Sequence, residues 1–304
     1  MNRPADNVRS EIRDIRSTYI RERAAFVDGA HISEILLGLG AHEGDLEKIK
    51  QVSDSLSSDP TLAFRRTRNG RFCFDMANRC IYRMSAQPFV LTAEEDFVRH
   101  DSGVVRIFDE IEDDLQLNTA LQALLVFKSL VVDGVAVTPR PHLDYSAENW
   151  VCTLFNIRTI TVPELLGEPA LEGVHSDGVD HTMTTLLGSQ NMAPESAVTF
   201  LHDPAEGNGT RWDAVDPALR LGQYQHKNFL DTVLIADHER KHSLSPVFAV
   251  RDDEPAMRDM AIFFTRRPAV DGHVSYPYDA LAPHEKYPMS VRIPSVERDG
   301  STLY

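Results

Sequence analysis

Cysteine is scarce in this sequence: 304 residues hold three, Cys73, Cys80 and Cys152, an odd number without C-x2-C spacing. That excludes a disulfide framework and a zinc ribbon and leaves reduced core thiols as the expectation. Positive charge is also short. Lysine and arginine total 31 against 46 aspartates and glutamates, for a net charge of -15. Such a balance argues against surfaces that neutralise nucleic-acid phosphates or anionic lipids. No apolar run approaches a membrane span, and the polar N-terminus lacks the apolar stretch of a signal peptide. A cytoplasmic protein with a small-molecule partner, no nucleic acid and no membrane is expected.

What the chain does have is histidine set near aspartate. His175 and Asp177 stand two apart in Leu171-Glu-Gly-Val-His175-Ser-Asp177-Gly. Alternate residues of a strand point to one side, so an H-x-D at a strand end aims an imidazole and a carboxylate at one point. With a second histidine from elsewhere, this makes the 2-His-1-carboxylate triad that holds non-haem Fe(II) and keeps coordination positions open. A second H-x-D, His142-Leu-Asp144, lies in a proline-rich run. Downstream residues favour the first pair. Two later histidines are candidates for the third ligand, His238 and His242. His238 falls in a charged turn, whereas His242 opens a segment running into Val247–Val250, and ligands belong on rigid elements. Arg258 heads the apolar stretch Met257–Thr265. A buried guanidinium requires an anion: either Asp259 or Glu254 as a structural partner, or the far carboxylate of a bound diacid.

The pattern along the chain predicts helices over 5–27, 33–39 and 43–56, and one long helix or a broken pair over 104–131. A β-hairpin is expected around Asp75–Asn78, and short β-branched strands at 150–161, 181–187, 196–202, 229–236, 247–250 and 258–265. The expected fold is α+β with a mainly β core, a double-stranded β-helix (jelly-roll, cupin-like) with N-terminal and supporting helices. Residues 1–132 would be a helical region with the hairpin packed on the core. Residues 133–304 would be the core and a proline-rich C-terminal wrap, the whole forming one compact unit. Arginines are dense at 65, 66, 68, 71, 79 and 83; solvated strand faces explain most, and one could reach over a pocket toward an anion.

His175-x-Asp177, the distal His242-Ser-Leu-Ser-Pro and strand-initial Arg258 resemble the iron- and 2-oxoglutarate-dependent dioxygenases. Glu172-Gly-Val-His-Ser-Asp-Gly-Val-Asp180 is similar to the E-G-x-H-x-D-G-x-D of bacterial amino-acid hydroxylases, typified by L-isoleucine dioxygenase and N-succinyl-leucine hydroxylase. Leu187-Gly-Ser-Gln-Asn191 resembles their strand and Asn turn, while Met192-Ala-Pro-Glu-Ser196 departs from their Gly-Gly turn. The resemblance implies Fe(II) on His175, Asp177 and His242, the C5 carboxylate of 2-oxoglutarate on Arg258, and O2 as cosubstrate. Asn191 is implied as a cofactor contact and Arg158 as a substrate contact. The reaction implied is hydroxylation of an unactivated C–H bond of a free or N-modified aliphatic L-amino acid, releasing succinate and CO2. Asp177 favours hydroxylation over halogenation, since related halogenases lack that carboxylate. Two readings compete: a cupin-like metal-dependent isomerase, and a non-catalytic binding protein. His181, His202 and His226 are expected to be satisfied or surface residues.

Overall fold

The structure, a computed structural model, describes residues 5–95 and 98–294. Its organising feature is a strongly twisted antiparallel sheet whose strands are apolar on both faces for two different reasons. In β11 (Ala256–Arg266), Ala261 and Phe263 point to one side, into the main hydrophobic core, while Arg258, Met260, Ile262 and Phe264 point to the other, into a cavity. Its neighbour β5 (Asn149–Thr161) divides the same way: Trp150, Cys152 and Leu154 enter the core, and Phe155, Ile157 and Thr159 line the cavity. Period-2 alternation thus gives each strand a face for folding and a face for chemistry.

The remaining strands are β1 (Ala24–Val27), β2 (Arg65–Asp75), β3 (Cys80–Met84), β4 (Asp109–Glu110), β6 (His181–Gln190), β7 (Val198–His202), β8 (Arg220–Gln225), β9 (Thr232–Ala236), β10 (Lys241–Leu244) and β12 (Ser290–Arg292). The large sheet runs β1-β9-β6-β11-β5-β2-β3-β12, with β4 alongside β2, and the small sheet runs β10-β7-β8. The two sheets enclose the cavity, as expected of the double-stranded β-helix. Strands from the first 132 residues pair directly with later ones, β1 with β9 and β2 with β5, so the N-terminal region and the core share one sheet.

Among the described residues, five α-helices cover the core face: α1 (Ala5–Glu22), α2 (Gly29–Gly38), α3 (Glu43–Lys48), α4 (Asp113–Gln116) and α5 (Thr119–Val132). Val8, Ile12, Ile15 and Tyr19 bury the apolar stripe of α1, and α5 is buried along almost its whole length. Two helical expectations are corrected. The first helix ends at Glu22, because Arg23 turns the chain at φ 61 and Ala24–Val27 becomes the edge strand on β9. The helix expected over 43–56 is α-helical only to Lys48 and ends in a 3-10 turn at Gln51; over 104–131 the broken pair forms, α4 and then α5, which Asn118 caps by accepting from the amides of Ala120 and Leu121. Upstream of that cap, Ile107 is 78% exposed while Phe108 lines the cavity.

The hairpin forms as β2 and β3, and its arginines go to separate partners. Arg68 pairs with Asp114, and Arg71 with buried Asp279 of the C-terminal wrap. Only two differences in the β region bear on the site. β8 was not anticipated from the sequence, and Val247–Val250 forms isolated bridges to Gly167 and Met192 rather than a strand. No described helix is long and apolar enough to cross a membrane.

Candidate active site

His175 and His242 are brought together by backbone pairing. Each amide donates to the other's carbonyl at 3.0 Å, which adds the His175 segment to the edge of β10 and sets the two rings 4.3 Å apart. Gly173 makes this approach possible. Its φ of 75 lies in the left-handed region, and a Cβ there would meet the Thr210 carbonyl oxygen at 2.6 Å. The Gly173 carbonyl then accepts from His175 Nδ1 at 2.8 Å, fixing the ring so that Nε2 is the nitrogen turned toward Asp177.

Asp177 completes the group. Its backbone N–H donates to both oxygens of buried Asp237, at 2.9 and 2.8 Å, and Thr182 Oγ1 donates to its Oδ2 at 2.6 Å. Oδ1 lies 3.4 Å from His175 Nε2, and Oδ2 lies 3.6 Å from His242 Nε2. One ligand atom from each of the three residues falls within 4.8 Å of the others. The electrostatics fit a divalent cation. Burial works against ionisation of Asp177, yet His242 and His175 hold its carboxyl far below the usual range. Burial would also lower His175, but Glu172 and Asp177 together raise it to about 10, whereas His242 is lowered by burial to about 4. A proton shared in this cluster occupies the place of positive charge that a metal ion would supply. Asp237 itself is raised well above the ordinary carboxyl value, by burial and then by Asp177. It organises the loop that presents Asp177.

Arg258 lies on the same cavity wall, 3% exposed. No carboxylate pairs with it among the described residues, and its Nε is buried without a hydrogen-bond partner. Burial alone lowers it, to about 10. Its single described contact runs from Nη2 to His226 Nδ1 at 3.3 Å, and His226 Nε2 donates onward to the Thr184 carbonyl at 3.1 Å. Burial and the Arg258 charge push His226 down to about 3, so the ring is neutral and free to accept. A buried cation with no counter-ion is costly, and here it opens onto a cavity in which an anion can be seated.

The cavity measures about 120 Å³, on the order of ten times what one water needs. One wall is aromatic and aliphatic: Phe89, Phe108 and Phe155 pack edge-to-face at centroid distances of 5.1–6.1 Å, beside Phe264 and Ile262. The opposite rim is charged. Arg65 pairs with Asp59, Arg99 pairs bidentately with Asp101, and Glu172 sits between Arg99 and His175.

The structure therefore brings His175, Asp177, His242 and Arg258 to one cavity, and it does not bring Asn191 or Arg158 there. Asn191, at φ 52, closes a turn by donating to the carbonyls of Arg251 and Glu254. Arg158 points to the core face and forks onto Asp259 at 2.7 Å, with Asp54 at 2.8 Å. Its implied substrate contact thus gives way to a structural ion pair, because residue 158 alternates away from Ile157 and Thr159. His238 accepts from Arg140 outside the cavity, and the other H-x-D is used in turns, with His142 bound to the Asp271 carbonyl and Asp144 to Ser146. His226 was set aside on sequence, and only its depth beside Arg258 discloses a role.

A sequence profile of the 2OG-Fe dioxygenases matches residues 50–264. The chain belongs to the 2OG-Fe dioxygenase family. It is 49% identical to the solved Fe(II)/α-ketoglutarate-dependent dioxygenase TqaL, with a TM-score of 0.83 over 96% of this chain and 98% of that one. It is also 48% identical over 91% of its length to the bifunctional enzyme flvA of Aspergillus flavus, of which it spans 34%. The solved IDO of Bacillus thuringiensis shares the fold, with 14% identity and a TM-score of 0.63 over 84% of this chain and 99% of that one. The family uses Fe(II), 2-oxoglutarate and O2, and this protein is a dioxygenase of that type.

Proposed function

We propose that the enzyme oxidises an unactivated C–H bond of a small aliphatic amino-acid-like substrate, hydroxylating it as 2-oxoglutarate and O2 become succinate and CO2. The observation that carries the reading is a buried His-Asp-His cluster sharing one cavity with an uncompensated arginine and an aromatic wall. His175, Asp177 and His242 would hold Fe(II), and Arg258 would take the C5 carboxylate of 2-oxoglutarate. When bound, iron with 2-oxoglutarate and O2 supplies the oxidising chemistry, one oxygen atom going to succinate and one to the product.

The chain's own residues do the positioning. Gly173 fixes His175, and Asp237 and Thr182 fix Asp177, before any cation arrives, which limits reorganisation. Arg258, held by His226, fixes the far end of the diacid and so sets where its keto end lies. Phe89, Phe155, Ile262 and Phe264 exclude water and present an apolar surface to an aliphatic side chain. These residues supply no acid or base for the C–H step; they orient and dehydrate.

The test is a panel of aliphatic L-amino acids, free and N-modified, assayed for substrate-dependent succinate release, with product masses. A gain of one oxygen atom supports hydroxylation. Loss of two hydrogens would show that the same C–H attack ends in desaturation or another oxidation. No substrate-dependent succinate with any member would reject the substrate class.

A further inference from the structure

The cavity face of β11 does not end at the His-Asp-His cluster. Phe264 stands across from Thr182, whose hydroxyl holds Asp177, so Phe264 and the cluster lie at one level of the sheet. Two residues on, Arg266 points the same way and lines a second chamber of about 30 Å³. That is on the order of twice the space one water needs. Phe89, Leu91, Phe264 and Asp177 line both spaces and so form the partition between them. The chamber's other end lies beneath half-buried Gln87 and the turn around His273–Ser275.

The two ends differ in polarity. The partition presents three apolar side chains, with Phe264 braced by Phe155 at 5.7 Å. The outer end is polar and holds no unpaired charge. Arg266 forks onto Asp279 at 3.0 and 3.1 Å. His273 Nδ1 accepts from the Ser275 amide at 3.0 Å, which leaves Nε2–H as the donor of the ring. Gln87 Oε1 is a buried acceptor without a hydrogen-bond partner. Water suits this end, and crossing the partition would strip it of such hydrogen bonds at considerable cost. An apolar diatomic has none to lose.

We propose that this chamber is the route by which O2 reaches the metal site, the partition of Phe89, Leu91 and Phe264 passing a small apolar gas and holding water back. With 2-oxoglutarate on Arg258 and a substrate along the aromatic wall, the cavity of about 120 Å³ is filled from its mouth, and the third reactant needs another side from which to enter. Asp177 borders both spaces, so a gas molecule that crosses the partition arrives beside a metal ligand. The inference rests on the dioxygenase reading of the cavity and requires no particular substrate.

The test reads gas access directly. Nitric oxide stands in for O2, since it binds Fe(II) without turnover, and its association with the full chain loaded with Fe(II) and 2-oxoglutarate is followed anaerobically by visible stopped flow. Ser275→Leu and Val90→Phe add bulk to the chamber from two walls, and neither residue lines the main cavity. Each should slow association by about threefold or more, with the 2-oxoglutarate midpoint unchanged. Either variant suffices should the other fail to fold. Wild-type crystals pressurised with xenon should hold an atom between Phe264 and His273 that is lost in Ser275→Leu. Unchanged nitric oxide association in a folded, plugged variant would overturn the route, and so would xenon found only in the main cavity. The xenon arm needs neither iron nor 2-oxoglutarate, so failure of the metal site and failure of the route are read separately.

Discussion

Arg158 and Arg258 lie on neighbouring strands of one sheet, a single register step apart, and have opposite circumstances. Arg158 stands directly across from Asp259, and Arg258 directly across from Thr159. Arg158 is on the core face, where Asp259 and Asp54 complete it. Arg258 is on the cavity face, where no described carboxylate does. The difference shows how the sheet divides its labour: the core face satisfies its charges internally, whereas the cavity face leaves one for a ligand.

The contrast breaks most severely at the metal ligands. His242→Ala and Asp177→Ala should reduce succinate release to background while leaving the far-ultraviolet circular dichroism and the apo melting temperature near wild type, since both residues face the cavity. Next comes Arg258→Ala. It should raise the 2-oxoglutarate midpoint by on the order of a hundredfold, equivalent to about 2.7 kcal/mol, with Fe(II) binding retained. The apo protein should melt no lower, because the variant removes a buried, unpaired charge.

Arg158→Ala is the mirror experiment. It strands Asp259 and should cost about 2 kcal/mol of stability in urea denaturation, with the 2-oxoglutarate midpoint unchanged. His226→Leu should be milder. Losing the acceptor beneath Arg258 Nη2 should cost about 1 kcal/mol of 2-oxoglutarate affinity, seen as a several-fold shift in the same titration.

The smallest expected effect concerns acid. Burial is the first cause lowering His202 and His273 to about 4 and His226 to about 3. These rings are neutral in the fold and protonate more readily once unfolded. Their contribution is therefore present above the unfolded value of about 6.5 and lost as pH falls through 4 to 3. The melting temperature should decline as pH falls below about 6.5, and His226→Leu should flatten part of that decline.

Much of the site was legible because its signals are local. An H-x-D spacing, a histidine opening a strand and an arginine heading an apolar run each describe one segment, and backbone pairing does the rest. The β core was legible for the same reason, as alternation and β-branching are properties of short windows. What was not legible depends on which face a residue occupies once strands pair. Both Arg158 and Arg258 are candidate contacts in sequence, and register is what puts one on the core face and the other on the cavity face. The 104–131 stretch has helical spacing throughout, but Asn118 separates the short α4 from α5, and Phe108 turns to the cavity instead. His226 acquires its meaning from Arg258, 32 residues away.

The most direct test of the account is an anaerobic visible titration of the purified protein with Fe(II) and then 2-oxoglutarate. The predicted result is the weak charge-transfer band of a keto acid chelated to Fe(II), absent in His242→Ala and displaced to far higher 2-oxoglutarate in Arg258→Ala. Iron binding without the band would contradict it in favour of a cupin-like metal site, and failure to bind iron would leave His175, Asp177 and His242 as structural residues.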